Sequence, residues 1–202
     1  NCADHLTDTF LVVNGDVIKR IVIGIAVLLL VGCVGISWQP AVAPVSPPAA
    51  DRFALSLVER GAKLSAAGNC AGCHTAPGGS AYAGGLGLET GFGLAYSTNI
   101  SPDPQTGIGN WSEPAFARAM REGVARDGSH LLPAFPYTHF TKLTDGDVAA
   151  LYAFLMTRPA VVAPDRVNTI GFPFNVRALQ AGWKLLFFDR GVYQNVPAKS
   201  EL

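Results

Sequence analysis

One short motif carries the clearest chemistry in this 202-residue sequence. Cys70 and Cys73 are separated by two residues, and His74 follows directly. C-x-x-C-H is the attachment site of a c-type haem: the two thiols add to the haem vinyl groups, and the histidine supplies the proximal iron ligand. Gly72 has no Cβ, which lets the backbone approach the ring. The motif therefore predicts one haem c, covalently attached.

Two other interpretations of the motif are weaker. A structural zinc site requires a second Cys/His pair, and none follows in the sequence. A thioredoxin-like redox pair belongs in a βαβ context, whereas the sequence around this motif is helical and glycine-rich. The surroundings therefore favour haem.

The composition excludes some classes of function. The 15 basic and 15 acidic residues cancel, so there is no electrostatic case for nucleic acid as a partner. Apolar residues make up 49% of the chain, which fits a membrane-associated protein that surrounds an apolar cofactor. The remaining cysteines, Cys2 and Cys33, have no evident partners, so a disulfide framework is not expected.

Residues 17–38 are predicted to form a transmembrane or signal-anchor helix. An apolar run of 18 residues, 21–38, follows the basic pair Lys19-Arg20. The basic pair places that end in the cytoplasm, and the haem domain then faces the periplasm from the bacterial inner membrane. Two alternatives remain: a signal peptide cleaved after Ala43, and a lipoprotein box ending at Cys33.

The rest of the chain divides into four segments. Residues 1–16 begin without Met and receive no function; they are interpreted as a fragment or a gene-prediction artefact. Residues 39–50 are a proline-rich linker. Residues 51–158 are the haem domain, and residues 159–202 are a C-terminal extension with one amphipathic helix near 176–187.

The haem domain is predicted to be all-α. A first helix over about 52–67 leads into the motif, with Gly61 as a point of close helix contact. Ser112 caps a middle helix, and a capping box of Thr144 and Asp147 begins the last one. Long glycine- and proline-rich loops separate these helices. This layout is that of a small class I cytochrome c, in which the first and last helices cross.

Four stretches of the domain resemble the cytochrome c subunit of membrane-bound bacterial dehydrogenases. Members of this family serve alcohol, gluconate, fructose and aldehyde dehydrogenases and enzymes of the molybdenum hydroxylase type. The four stretches are Tyr96-Ser97-Thr98-Asn99-Ile100-Ser101-Pro102-Asp103, Thr106-Gly107-Ile108-Gly109-Asn110-Trp111-Ser112, Pro133-Ala134-Phe135-Pro136-Tyr137 and Asp147-Val148-Ala149-Ala150-Leu151-Tyr152. Such subunits usually carry three haem domains after one anchor. This sequence has one C-x-x-C-H motif, so the extension is interpreted as a linker towards a further haem domain or as the end of a single-haem version.

The second axial ligand of the haem iron has several candidates in the sequence. Members of the family often have Met at the position that Phe135 occupies in this sequence. A phenylalanine side chain cannot ligate iron. His139 lies four residues further on the same loop and is the predicted ligand, with Met156 as the alternative. The remaining possibilities for this ligand position are His130, Met120 and an open coordination site.

Other residues are predicted to surround the haem. Leu131, Leu132, Phe135 and Tyr137 are expected to form an apolar wall. The side chains of Asn99, Trp111 and Arg118 are expected to bind haem propionates or the loop backbone.

The resemblance implies an electron carrier and not an enzyme. Such a chain accepts single electrons from a dehydrogenase large subunit and passes them to quinone or a downstream cytochrome. No nucleophile–base pair or phosphate-binding loop points to catalysis. The alternative is a haem c domain with an open distal site, acting as a gas sensor or haem enzyme.

Overall fold

A computed structural model describes residues 15–194, in two compact units that divide between Trp38 and Gln39. The first unit contains helix α1 (Gly15–Ser37), whose side chains of Ile21, Ile23 and Leu28 are exposed. Among residues 15–194, no helix has both the length and the apolar character needed to cross a membrane. Nearly all of the unassigned stretch 1–16 and the side chain of Cys33 lie outside the described part.

The second unit is mostly helical, as predicted, and it also contains one β-hairpin that the sequence did not indicate. Its elements are α2 (Leu55–Ala67), α3 (Cys70–Cys73), β1 (Gly87–Thr90), β2 (Gly93–Tyr96), α4 (Glu113–Glu122), α5 (Tyr137–Phe140), α6 (Asp145–Met156) and α7 (Leu179–Phe187). The strands are antiparallel, with Gly87 opposite Tyr96 and Thr90 opposite Gly93. Both strands begin with glycine, which weakens any strand signal in the sequence.

Helices α2 and α6 cross at Gly61, which confirms the predicted close contact. A Cβ at Gly61 would overlap the carbonyl oxygen of Ala150 and would lie 2.6 Å from the Cβ of Phe154. Nearby, the guanidinium of Arg60 donates to the carboxylate of Asp147 at 2.6 Å. The crossing therefore rests on a close backbone approach and an ion pair at the start of α6.

Side-chain caps set the ends of α4 and α6. The Ser112 hydroxyl accepts from the amide of Ala115, and Gly123, with a φ of 61°, ends α4. Thr144 and Asp147 form the predicted capping box at the start of α6. The apolar faces of both helices lie in one core. Its buried residues are Phe116 and Met120 of α4, Val148, Leu151, Tyr152, Phe154, Leu155 and Met156 of α6, and Ile108 from the loop before α4.

Residues 39–50, the predicted linker, lie against the haem domain in the same compact unit. The amide of Val42 donates to the carbonyl of Arg126 at 2.8 Å, and the amide of Val45 donates to the carbonyl of Asn110 at 3.0 Å. An extended proline-rich chain makes no internal hydrogen bonds, so its amides are available to neighbouring loops. The segment therefore forms part of the domain surface.

We expect Gly61→Ala to destabilise the haem domain by about 1–3 kcal/mol, the usual range for an overpacked contact. Alanine favours a helix over glycine by only about 0.8–1.0 kcal/mol, too little to offset a collision with a backbone carbonyl. Gly182→Ala in α7 is the control, because a Cβ there meets nothing within 4 Å. Thermal unfolding should show a lower melting temperature for the first variant and an equal or higher one for the second. A Gly61→Ala protein as stable as the parent would contradict the close crossing.

Candidate haem site

The cysteines of the motif lie on α3, a single helical turn. The amide of His74 donates to the carbonyl of Cys70 at 2.9 Å, which closes the turn. Both thiols are free and partly buried, and burial raises the pKa of Cys70. A Cβ at Gly72 would collide with the side-chain amide of Asn69, so the glycine leaves room for that amide beside the turn. The turn presents two thiols and one imidazole side by side.

A hydrogen bond fixes the orientation of the His74 ring. Nδ1 of His74 lies 2.7 Å from the carbonyl oxygen of Thr98. Because a carbonyl can only accept, Nδ1 carries the proton and Nε2 of the neutral ring has a free lone pair. Burial lowers the pKa of His74 and so favours this neutral form. A metal-binding histidine needs this arrangement, in which the second nitrogen is held by a carbonyl.

Cys70, Cys73 and His74 all line a cavity of about 600 Å³. Such a volume is within the range of small-molecule and cofactor sites. One part of the lining is apolar and comes from the loop before α4, from α4 and α6, and from the loop before α5: Ile108, Phe116, Met120, Leu131, Leu132, Phe135, Leu151 and Leu155. The residues present therefore fit a haem: two attachment thiols, an oriented imidazole and an apolar wall.

The candidates for the second axial ligand occupy different places. His139 is exposed on α5 and outside the cavity lining, with its Nδ1 3.3 Å from the hydroxyl of Thr138. Met156 is buried in the core and His130 is buried behind the cavity wall; neither lines the cavity. Met120 does line it. The structure thus brings one of the four candidates to the cavity surface.

The predicted apolar wall is present except for Tyr137. Leu131, Leu132 and Phe135 line the cavity. Tyr137 is fully buried outside the lining, with its ring against Trp183 at a centroid distance of 6.2 Å. It points away because Gly123 leaves room for the ring: a Cβ there would lie 2.6 Å from Tyr137 Cδ1.

Arg118 and Asn99 bind the loop backbone, one of the two roles predicted for them. The guanidinium of Arg118 donates to the carbonyls of Pro40 and Ala125 at 2.6 and 2.5 Å. The amide of Asn99 donates to the carbonyl of Val161 at 2.7 Å. Of the three residues considered for the propionates, Trp111 and Asn99 also line the cavity.

Sequence reasoning missed three cavity residues, Asp165, Asn168 and Arg177, which follow the predicted haem domain. Asp165 and Asn168 belong to an extended segment without the periodicity of a helix or strand, and Arg177 lies in the turn before α7. The amide of Tyr96 donates to the side-chain oxygen of Asn168 at 2.7 Å, and the amide of Asn99 donates to Asp165 at 3.2 Å. The C-terminal extension therefore contributes to the site.

Comparison with known proteins supports this interpretation of the site. The sequence pattern of the cytochrome c family matches residues 58–159, about half of the chain. The chain belongs to the cytochrome c family. Membership of this family implies a covalently bound haem c.

Several relatives are similar over most of this cytochrome chain. One of the subunits of nicotinate dehydrogenase from Pseudomonas putida is 53% identical over 163 residues, 81% of this chain and 14% of the relative. The cytochrome c subunit of the quinone alcohol dehydrogenase of Gluconacetobacter polyoxogenes is 43% identical over 133 residues, 65% of this chain and 28% of the relative. A dihaem cytochrome c of Cereibacter sphaeroides is 39% identical over 174 residues, 83% of this chain and 58% of the relative.

These relatives confirm the predicted resemblance to dehydrogenase cytochrome c subunits. The cytochrome chain nevertheless spans only 14% and 28% of the length of the first two of them.

We expect Gly84→Ala to disturb the His74 ring. Gly84 has a φ of 73°, and its added Cβ would lie 2.5 Å from the oxygen of Thr98, the atom that holds Nδ1. Gly78→Ala is the matched control, because its φ is 72° but a Cβ meets nothing within 4 Å. Both variants bear the left-handed strain of about 1 kcal/mol.

Gly84→Ala should lose about 1–3 kcal/mol more than the control and should shift the optical spectrum of the haem-loaded protein. Denaturant unfolding and absorption spectroscopy measure these effects. Equal behaviour of the two variants would mean that the approach to Thr98 does not matter for His74.

Proposed function

We propose that this cytochrome is an electron carrier with one haem c. It passes single electrons from a partner dehydrogenase to quinone or another cytochrome and catalyses no substrate reaction of its own. The observation that carries the proposal is the convergence of Cys70, Cys73 and His74 on one cavity, with Nδ1 of His74 bound to Thr98. The likeness to dehydrogenase cytochrome c subunits supports the choice of partner.

In this proposal each residue has a definite role. Haem c, when bound, supplies a one-electron iron couple. The thiols of Cys70 and Cys73 would add to the haem vinyl groups as thioethers, and Nε2 of His74 would ligate the iron. The apolar side chains of Phe116, Leu131 and their neighbours exclude water from the ring. Low water access reduces the reorganisation that accompanies a change of charge, which suits electron transfer.

The second axial ligand in this proposal is His139, with Met156 as the alternative. His139 is exposed in the structure, so binding requires the one-turn helix α5 to bring its imidazole inward. Met156 would have to leave the core around α6. Met120 also belongs in the test because its side chain lines the cavity.

The proposed location is the periplasmic side of the bacterial inner membrane. The support for it is the sequence of α1, in which Lys19 and Arg20 precede an apolar run. Exposed apolar side chains along α1, such as Ile21 and Ile23, are in keeping with a lipid or protein neighbour. Attachment of haem c outside the cytoplasm fits the same compartment.

Carbon monoxide tests whether both faces of the iron are held. We expect no change in the optical spectrum of the reduced, haem-loaded protein on exposure to carbon monoxide, because electron transfer needs stable axial ligation. Among the variants His139→Ala, Met156→Leu and Met120→Leu, the one that removes the ligand should become reactive. His139→Ala should be that variant.

A rapid, stoichiometric spectral shift in the parent protein would instead mean an open face. That outcome would replace electron transfer by the alternative function, a gas sensor or haem enzyme. Reactivity only in the Met120→Leu variant would keep the function and correct the ligand.

A further inference from the structure

Residues 161–177, here called the strap, are held across the cytochrome domain by a ladder of hydrogen bonds. The amide of Thr169 donates to the carbonyl of Leu94 at 3.0 Å, and the amide of Gly171 donates to the carbonyl of Phe92 at 3.0 Å. At its start, the amide of Val161 donates to the hydroxyl of Ser101 at 3.1 Å. The strap lies beyond residues 58–159, the part that matches the cytochrome c family.

The far end of the strap carries a partly buried arginine into the cavity lining. Nη1 of Arg177 donates to the carbonyl of His130 at 3.0 Å. Among the described residues, Arg177 forms no ion pair within 4 Å, although Asp127 and Asp165 attract its charge. Burial lowers its pKa, which reflects a charge removed from water without a full set of partners.

Three other arginines lie near the cavity. Arg118 directs its donors to backbone carbonyls and does not line the cavity. Arg166, on the strap, stacks over the Tyr96 ring at 4.3 Å and does not line it either. Arg126 does line it, donates to the carbonyl of Val42 at 3.2 Å and has a buried Nε without a partner. Arg177 is therefore one of two arginines in the lining and the one that the strap brings there, partly buried and with most of its five N–H donors uncommitted to the protein.

A guanidinium in this state suits a carboxylate, which it can bind through two parallel hydrogen bonds. A haem brings two such carboxylates, its propionates. We propose that Arg177 is a haem-binding residue whose guanidinium holds one of the haem propionates. This inference rests on the proposed function, since it requires haem in the cavity. It makes the strap a functional part of the haem site.

The charged groups that face the same region are few. Arg126 and Asp127 come from the loop after α4, Asp165 comes from the strap, and His74 comes from the motif. Burial raises the pKa of Asp165, so this carboxyl is a weaker competitor for Arg177 than an exposed one.

The test compares reduction potentials of the haem-loaded variants Arg177→Gln, Arg177→Lys and Arg166→Gln. Arg166→Gln is the matched control, because it removes the same charge from the same strap but outside the cavity lining. Loss of the Arg177 charge favours the more positive oxidised haem, so the potential should fall. We expect about a tenfold shift in the equilibrium with a one-electron mediator, equivalent to about 59 mV. The control should shift by less than twofold.

The pH profile separates a propionate contact from a general loss of structure. Without Arg177 the propionate binds its proton more tightly, so the potential of Arg177→Gln should fall as the pH rises between 5 and 8. The parent should be flat or shallower over that window. The slope should persist when Asp165→Asn is added, which assigns it to the propionate.

Each outcome decides the inference. Absence of covalent haem in the parent protein would overturn the proposed function first. Normal haem loading with the same potential and pH profile in Arg177→Gln and Arg166→Gln would overturn the Arg177 assignment alone. If Arg177→Gln fails to load haem, Arg177→Lys decides. Its reduction potential should fall by less than the roughly 59 mV expected for Arg177→Gln. A potential equal to that of the parent at every pH would contradict a bidentate contact.

Discussion

The hydrogen bond between His74 Nδ1 and the carbonyl of Thr98 joins the C-x-x-C-H motif of this cytochrome domain to the loop that follows the hairpin. His74 belongs to the turn that follows α2, and Thr98 follows the hairpin strand β2. The bond fixes the tautomer, so Nε2 of the neutral ring keeps a free lone pair. Gly84 must be glycine for Thr98 to come this close, and the strap holds the next residue, Asn99, through Asp165. The position of His74, the predicted proximal ligand, thus depends on contacts across more than ninety residues of sequence, from 74 to 165.

Local chemistry explains why parts of this domain were predictable. Ser112 and Thr144 cap helices with their own hydroxyls, and the helices begin where these residues predict. The start of α2 was predicted near residue 52 and lies at Leu55: Ala50–Arg52 form a separate 3₁₀ turn, and Ala54 before the helix has no side chain that could mark its start. The C-x-x-C-H motif is contained in one turn, so its spacing alone revealed the candidate site.

Contacts between distant segments explain what the sequence did not reveal. The hairpin is held against residues near 170, as in the hydrogen bond between Leu94 and Thr169, 75 residues apart. The same pairing carries Asp165 and Arg177 into the cavity lining, and no periodicity marks an extended strap. Tyr137 was expected at the cavity, but the space beside Gly123 and the ring of Trp183 takes it to the other side. The identity of the second axial ligand likewise depends on how α5 packs around a bound haem.

We propose that this domain holds one haem c and exchanges one electron reversibly. An optical redox titration of the haem-loaded chain, run in both directions with mediators, is the direct test. We expect a single reversible wave with a slope of about 59 mV per decade and one haem per chain. A haem that fails to reoxidise, or two waves from one chain, would contradict it.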